Sequence, residues 1–318
     1  MSVQFLMQAG FFAEEGRARL EDFVLNKGRV EPGRPGHVPF YYVAALQRNS
    51  DFAIESVDDM VFEPASAETD ILLSGFPQAM FERLPLHDHA PCAPDADTVA
   101  NTKRALSWLQ SHSVDGLALV SRYVRLLVIV DRAPHVGAQF FGTLTSCSLP
   151  ALPYCSFVSK KALFHLPPRE IAPRPHQAWF AENIFHEALH NALTVDILAG
   201  RVFRSGFRVA DSPPVSIPWR SDDPAARNRA WPVDRVLHAL VVYAGIYGLR
   251  TEMLGSGLEE TERHFLLKTL SSARSAMQHL AAALRSAPDC FTKAAKRAVL
   301  QLCQFVDSVD VHRGEFVV

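Results

Sequence analysis

No stretch of this 318-residue chain approaches the ~20 consecutive apolar residues of a membrane-crossing helix, so a helical transmembrane span is not expected. Charge of one sign is also missing. The 32 basic and 34 acidic residues leave a net charge of −2, with no electrostatic footprint for nucleic acid or an acidic membrane surface. Cysteine is sparse and irregular: Cys92, Cys147, Cys155, Cys290 and Cys303 form no CxxC pair, which argues against a cysteine-based zinc site and favours ordinary buried thiols. The first residues, Met1-Ser-Val-Gln-Phe-Leu-Met, lack the basic and apolar regions of a signal peptide, and a cytoplasmic protein is expected. No internal repeat is visible. The 48% apolar and 21% charged residues describe a folded chain long enough for one large domain or two ordinary ones.

Periodicity predicts a mainly helical α+β protein. A helix is expected near Phe11–Leu25, followed by a Gly/Pro-rich loop at Glu31–Pro39 and weaker elements at Tyr41–Leu46 and Phe52–Val57. Leu84–Asp97 reads as a loop, and Thr98–His112 as a helix. Tyr123–Val130 is β-branched and apolar enough for a strand, with partners expected at Gln139–Leu144 and Tyr154–Val158. Trp179–Leu198 contains neither Gly nor Pro, carries a wide apolar face, and is closed by Gly200. An arginine-rich, proline-punctuated connection spans Arg201–Trp231, long enough to suggest function. Helices follow from Pro232 to about Leu254, over Leu258–Ser286 and over Cys290–Val309. The expected architecture is a small sheet preceding a metal-binding helix pair and C-terminal helices. An N-terminal α/β subdomain would cover 1–115 and a catalytic domain 116–318.

Within the long helix stands His186-Glu187-Ala188-Leu189-His190. Residues four apart on a helix differ by about 40° in direction, so both imidazoles can meet one divalent metal. Glu187, about 100° round from His186, flanks such a metal as a base or orienting group. Catalytic zinc uses three protein ligands and an open position. A metzincin pattern would need Gly at 193 and a ligand at 196, where the chain has Leu193 and Asp196. With the helix continuing, Asp196 lies about 9 Å along the axis on another face, and a solvated acid near the helix end is expected. No glutamate occurs between Asp196 and Arg235 to serve as a gluzincin ligand. His238, in the otherwise apolar stretch Val236-Leu-His-Ala-Leu-Val, is the better third ligand. Asp234, one turn earlier, could orient its ring. His87-Asp88-His89, between Pro85 and Pro91, reads as a surface loop rather than a jelly-roll oxygenase motif.

The combination of His186–His190, Pro218-Trp219-Arg220, Asp223-Pro224 and Val236-Leu237-His238, with Cys155-Ser-Phe-Val-Ser159 before it, resembles the HExxH-motif peptide-modification proteins of RiPP biosynthesis. The resemblance covers roughly residues 140–250. It implies an iron(II)- and 2-oxoglutarate-dependent dioxygenase that hydroxylates the β-carbon of a residue in a ribosomally made precursor peptide. The distal carboxylate of 2-oxoglutarate calls for a bidentate cation. Arg220 carries the motif match, and Arg229 and Arg235 are the neighbouring candidates. The competing expectation is a zinc metallopeptidase, with Glu187 as general base on a Zn(II)-bound water.

Overall fold

The computed structural model describes residues 3–12, 62–66, 69–74, 76, 81–82, 84–86, 88–133, 144–150, 152–167, 170–220 and 229–311. Its helices are α1 (Val3–Gln8), α2 (Ala96–His112), α3 (Val114–Tyr123), α4 (Gln177–Leu198), α5 (Val233–Met253), α6 (Glu260–Arg285) and α7 (Lys293–Val311). The principal sheet contains β1 (Phe62–Ser66), β2 (Thr69–Ser74), β3 (His89–Pro91), β4 (Leu126–Arg132), β5 (Ser146–Ser148) and β6 (Cys155–Val158). The protein is α+β and mainly helical. No helix among the described residues is long and apolar enough to cross a membrane.

A run such as Leu126-Leu-Val-Ile-Val130 has no polar face to turn to water, so it belongs in the middle of a sheet covered on both sides. All five residues are buried. β4 pairs in parallel with β2 and β6, while β1 closes on β2, β5 on β6 and β3 on β4, all antiparallel. This sheet joins residues on both sides of position 115. A single cluster of buried apolar side chains runs from Leu6 to Val309. On the helical side α4 packs against α2, α3 and α5, and it also touches β5 and β6.

Several boundaries differ from the sequence expectations. The first helix is Val3–Gln8, ended by Gly10 at φ +95°; most of the expected helix, and the elements expected at 31–57, lie outside the described residues. Tyr123 ends α3 rather than opening a strand, because Leu119, Val120 and Tyr123 recur at helical spacing and are buried together. The antiparallel partner of β6 is Ser146–Ser148, whose residues gave no strand signal; Gln139–Leu144 lies almost wholly outside the described residues. Part of the expected loop at Leu84–Asp97 is β3. His89 is buried there, its Nε2 accepting from Leu144 N at 2.7 Å, so it is a structural histidine and not part of a surface loop. The connection after α4 contains a two-stranded ladder of Val215–Ser216 with Ala230–Trp231, and residues 221–228, including Asp223-Pro224, are not described.

Candidate metal centre

The helix carrying the two histidines is held from both ends. His176 Nδ1 accepts from Ala178 N at 3.1 Å as an N-cap, and Gly200 follows the C-terminus at φ +71°. Between them almost every residue of α4 is buried, including six polar ones: Glu182, Asn183, Glu187, Asn191, Thr194 and Asp196. Buried polar groups need partners. Asn183 Nδ2 donates to the carbonyls of Ala162, His165 and Trp179, and Asn191 Nδ2 to Tyr123 O and Ser156 Oγ. Glu182 accepts two bonds from Arg250, at 2.9 and 2.6 Å. Asp196 accepts from Phe12 N at 2.6 Å and from Arg201 Nη1 at 2.7 Å. The expectation of a solvated Asp196 is thus corrected. The N-terminal segment folds over the end of α4 and takes the carboxylate out of water.

His186 and His190 form the more open strip of α4, and α5 brings His238 to them. The helices approach closely where Gly245 of α5 meets Leu189 of α4; a Cβ at 245 would stand 2.5 Å from Leu189 Cδ1. Residue 238 lies two turns before Gly245 on the same face, so close approach at Gly245 presents His238 to His190. His190 Nε2 is 3.2 Å from His186 Nε2, and His190 Nδ1 is 3.2 Å from His238 Nδ1.

Two nitrogens on a common ion at about 2.1 Å stand roughly 3.0 Å apart at a right angle and about 3.4 Å apart in a tetrahedron. Both separations suit a shared metal. The directions do not, because His190 offers a different nitrogen to each neighbour. Among the described residues no three His, Cys, Asp or Glu side chains form a ready metal-binding group. The His190 ring accounts for this. Its Cε1 lies between the two nitrogens, and a half-turn about Cβ–Cγ exchanges Cε1 with Nε2. That rotation turns Nε2 into the gap between His186 and His238. The three rings stand side by side, and sharing one ion would take that rotation of His190.

Electrostatics favours the ligand form of all three rings. Burial pushes His186 down to about 3 and His238 down to about 4. Burial, then the neighbouring His186, His238 and Arg235, hold His190 well below its ordinary value. Neutral imidazole is the species that binds metal. His186 keeps 17% of its side-chain exposure, which leaves the strip a way to a ligand.

Glu187 Oε1 lies 3.9 Å from His186 Nε2, beside the histidine pair. Burial raises its carboxyl to about 7, while Ser146 and Ser148 on β5 pull it down. Its Oε2 is buried without a hydrogen-bond partner. Other unpartnered buried atoms belong to the same neighbourhood in chain and fold: His186 Nδ1, Arg220 Nε, Trp231 Nε1 and Asp234 Oδ1. Arg220 follows Trp219, which makes edge contacts with Trp231, Tyr243 and His279. Arg235 stacks its guanidinium 4.7 Å from the Trp231 ring centre. Burial, then the like charge of Arg220, lowers the Arg235 pKa, so the two cations are neighbours, and Arg235 is in turn close enough to act on His190.

The structure thus brings His186, Glu187, His190 and His238 together, with Arg235 acting on His190 and Arg220 next to Arg235. Arg229 is exposed, its carbonyl accepting from Ile217 N, and Asp234 makes no hydrogen bond to His238. Ser146, Ser148, Asn183 and His165 were not foreseen. Asn183, at i−3 from His186, could have been suspected from helical spacing; the short strands bearing the others carry no pattern. No family model matches the chain, and no curated protein is significantly similar to it.

Proposed function

We propose that the chain is an iron(II)- and 2-oxoglutarate-dependent hydroxylase acting on the β-carbon of a residue in a ribosomally made precursor peptide. The carrying observation is Arg220 next to Arg235, which in turn acts on His190, with Arg220 Nε buried and unpartnered. Asp234 offsets part of the Arg235 charge, and a carboxylate at the unpartnered Arg220 Nε would answer both charge and fork geometry. His186, His190 and His238 would hold the metal, and Arg220 the distal carboxylate of the cosubstrate. When bound, Fe(II) with 2-oxoglutarate and O2 supplies a hydroxylation in which one oxygen enters the peptide, the other enters succinate, and CO2 leaves. The chain's own part is to bind and orient the ligands, with Glu187 poised beside the metal to hold a proton. Five free cysteines suit the cytoplasm, where a precursor peptide is made.

The second reading, a zinc metallopeptidase, draws on Glu187 alone: a carboxyl raised to about 7 beside a metal site suits a general base. An anaerobic titration separates the two. The Fe(II) protein is expected to develop a visible charge-transfer band with 2-oxoglutarate and to form succinate with candidate peptides. Arg220→Ala should weaken cosubstrate binding by about 2–3 kcal/mol, roughly thirty- to a hundred-and-fiftyfold, with metal stoichiometry unchanged. An Fe(II) protein without the band, together with peptide cleavage by the zinc form, overturns the hydroxylase. A band unaffected by Arg220→Ala moves the carboxylate to Arg235.

A further inference from the structure

We infer that His165 is a positioning residue for His186, accepting the Nδ1–H that fixes the His186 ring while Nε2 faces the metal. This rests on the three-histidine reading above. A ligating imidazole almost always donates its second N–H to a carboxylate, a carbonyl or water, which sets tautomer and ring orientation. In His186 that second nitrogen, Nδ1, is buried and has no partner. The Nδ1 of His165 is likewise buried and unpartnered.

The backbone brings residue 165 against the helix that carries His186. His165 opens a short hairpin, His165–Leu166 with Glu170–Ile171, laid against α4. Its carbonyl accepts from Asn183 Nδ2 at 2.7 Å. Asn183 is three residues before His186, on the adjoining turn of the same helix face. After burial, His165 contributes to holding His186 in its neutral form. A neutral imidazole has one donor and one acceptor nitrogen. Asn183 commits its amide to three carbonyls and its Oδ1 accepts from Ser146 Oγ at 3.3 Å, so it does not occupy His165 Nδ1. The acceptor nitrogen is left for His186. A short ring adjustment, or one bridging water, completes the pair. No carboxylate bonds to His186 Nδ1, and Glu187 sits on the Nε2 side at 3.9 Å.

Co(II) is the probe, titrated calorimetrically and by visible absorption into metal-free wild type, His186→Ala, His165→Phe and His165→Asn. Wild type binds one ion and His186→Ala loses it. His165→Phe weakens binding about 10- to 100-fold while the melting temperature of the metal-free protein stays close to wild type. The Asn183 bond to the residue-165 carbonyl survives any side-chain change, which protects the fold. His165→Asn, which keeps an acceptor near the Nδ1 position, recovers most of the affinity. Proton NMR of the zinc-loaded wild type gives a second readout: a hydrogen-bonded imidazole N–H from His186, absent in His165→Phe. Wild-type Co(II) affinity in His165→Phe, with His186→Ala still inactive in binding, overturns the role of His165 alone. Affinity lost in parallel with metal-free stability and not recovered by Asn overturns it too. A wild type that binds no Co(II) overturns both this role and the metal centre.

Discussion

At the scale of single residues, the division of labour along α4 is set by which carboxylates have partners. Asp196 and Glu187 are both acidic and both buried, yet one is saturated with donors and the other has an oxygen to spare. Asp196 therefore belongs to the fold. Its replacement by Ala strands the Phe12 N–H and the Arg201 guanidinium and should cost about 2–3 kcal/mol. Metal stoichiometry should stay at the wild-type value, as chemical denaturation and metal analysis of the same preparation will establish. Loss of metal with intact stability would restore Asp196 as a ligand. Glu187→Gln, by contrast, should leave both stability and metal content nearly unchanged. The variant keeps the shape of a side chain that touches the metal's surroundings but holds no helix in place. Sequence spacing alone distinguished these two acids by direction. It could not reveal that the first dozen residues fold back onto position 196, since that contact joins residues 184 apart.

Among elements, the decisive contact is between α4 and α5, and it depends on a glycine. Gly245 is mid-helix, where glycine is unfavourable by roughly 0.5–1 kcal/mol relative to alanine, so its presence needs a packing reason. That reason is Leu189, whose side chain fills the space a Cβ would take. Gly245→Ala should destabilise the protein by about 1–3 kcal/mol through overpacking, despite the better helix propensity of alanine. It should also weaken metal binding, because the displaced helix carries His238. Leu189→Ala in the same chain opens the space and should restore metal binding at a further cost in core burial. If Gly245→Ala proves more stable than wild type, the close approach is not rigid. A second fastening lies at the far end of α5, where Arg250 is fully buried and donates to Glu182 of α4, to Thr269 O of α6 and to Pro167 O. Long helices of this kind were legible in the sequence, because period and capping speak locally. α4, α5 and α6 begin and end within a few residues of their expected places. The short strands were not. Ser146–Ser148 is a strand because β6 pairs with it, and nothing in Ser-Cys-Ser says so. The same holds for the site. The i,i+4 histidines and His238 could be named from spacing, whereas His165 and the two serines reach it only through pairing between distant segments.

Over the whole molecule these buried groups act together on acid stability. His89, His165, His186, His190 and His238 all have folded pKa values below the ordinary 6.5, chiefly through burial. Below pH 6.5 the unfolded chain takes up protons that the folded one refuses, so stability falls as pH falls through that window. Three carboxyls, Glu182, Glu187 and Asp196, work in the opposite sense. Burial raises them, so the folded state holds their protons longer and they lose stability as pH rises from their unfolded values, up to about 7 for Glu187. Each group alters the slope by at most about 1.4 kcal/mol per pH unit. His186 at about 3, His238 at about 4 and His190 well below its ordinary value outnumber Glu187 at about 7, so a net uptake of protons on unfolding is expected between pH 6.5 and 4.5. Metal-free protein should therefore melt at steadily lower temperature across that interval, and denaturation at fixed temperature should show a positive slope of stability with pH. Saturating Zn(II) should add a nearly constant increment of stability across the interval, because the three rings it would bind are already neutral in the folded protein there. His89→Phe removes one refused proton outside the three-histidine set and should flatten the metal-free slope without changing the Zn(II) increment. A metal-free protein equally stable at pH 6.5 and 4.5 would mean that these histidines reach water in the folded state, and the close packing around α4 would then be wrong.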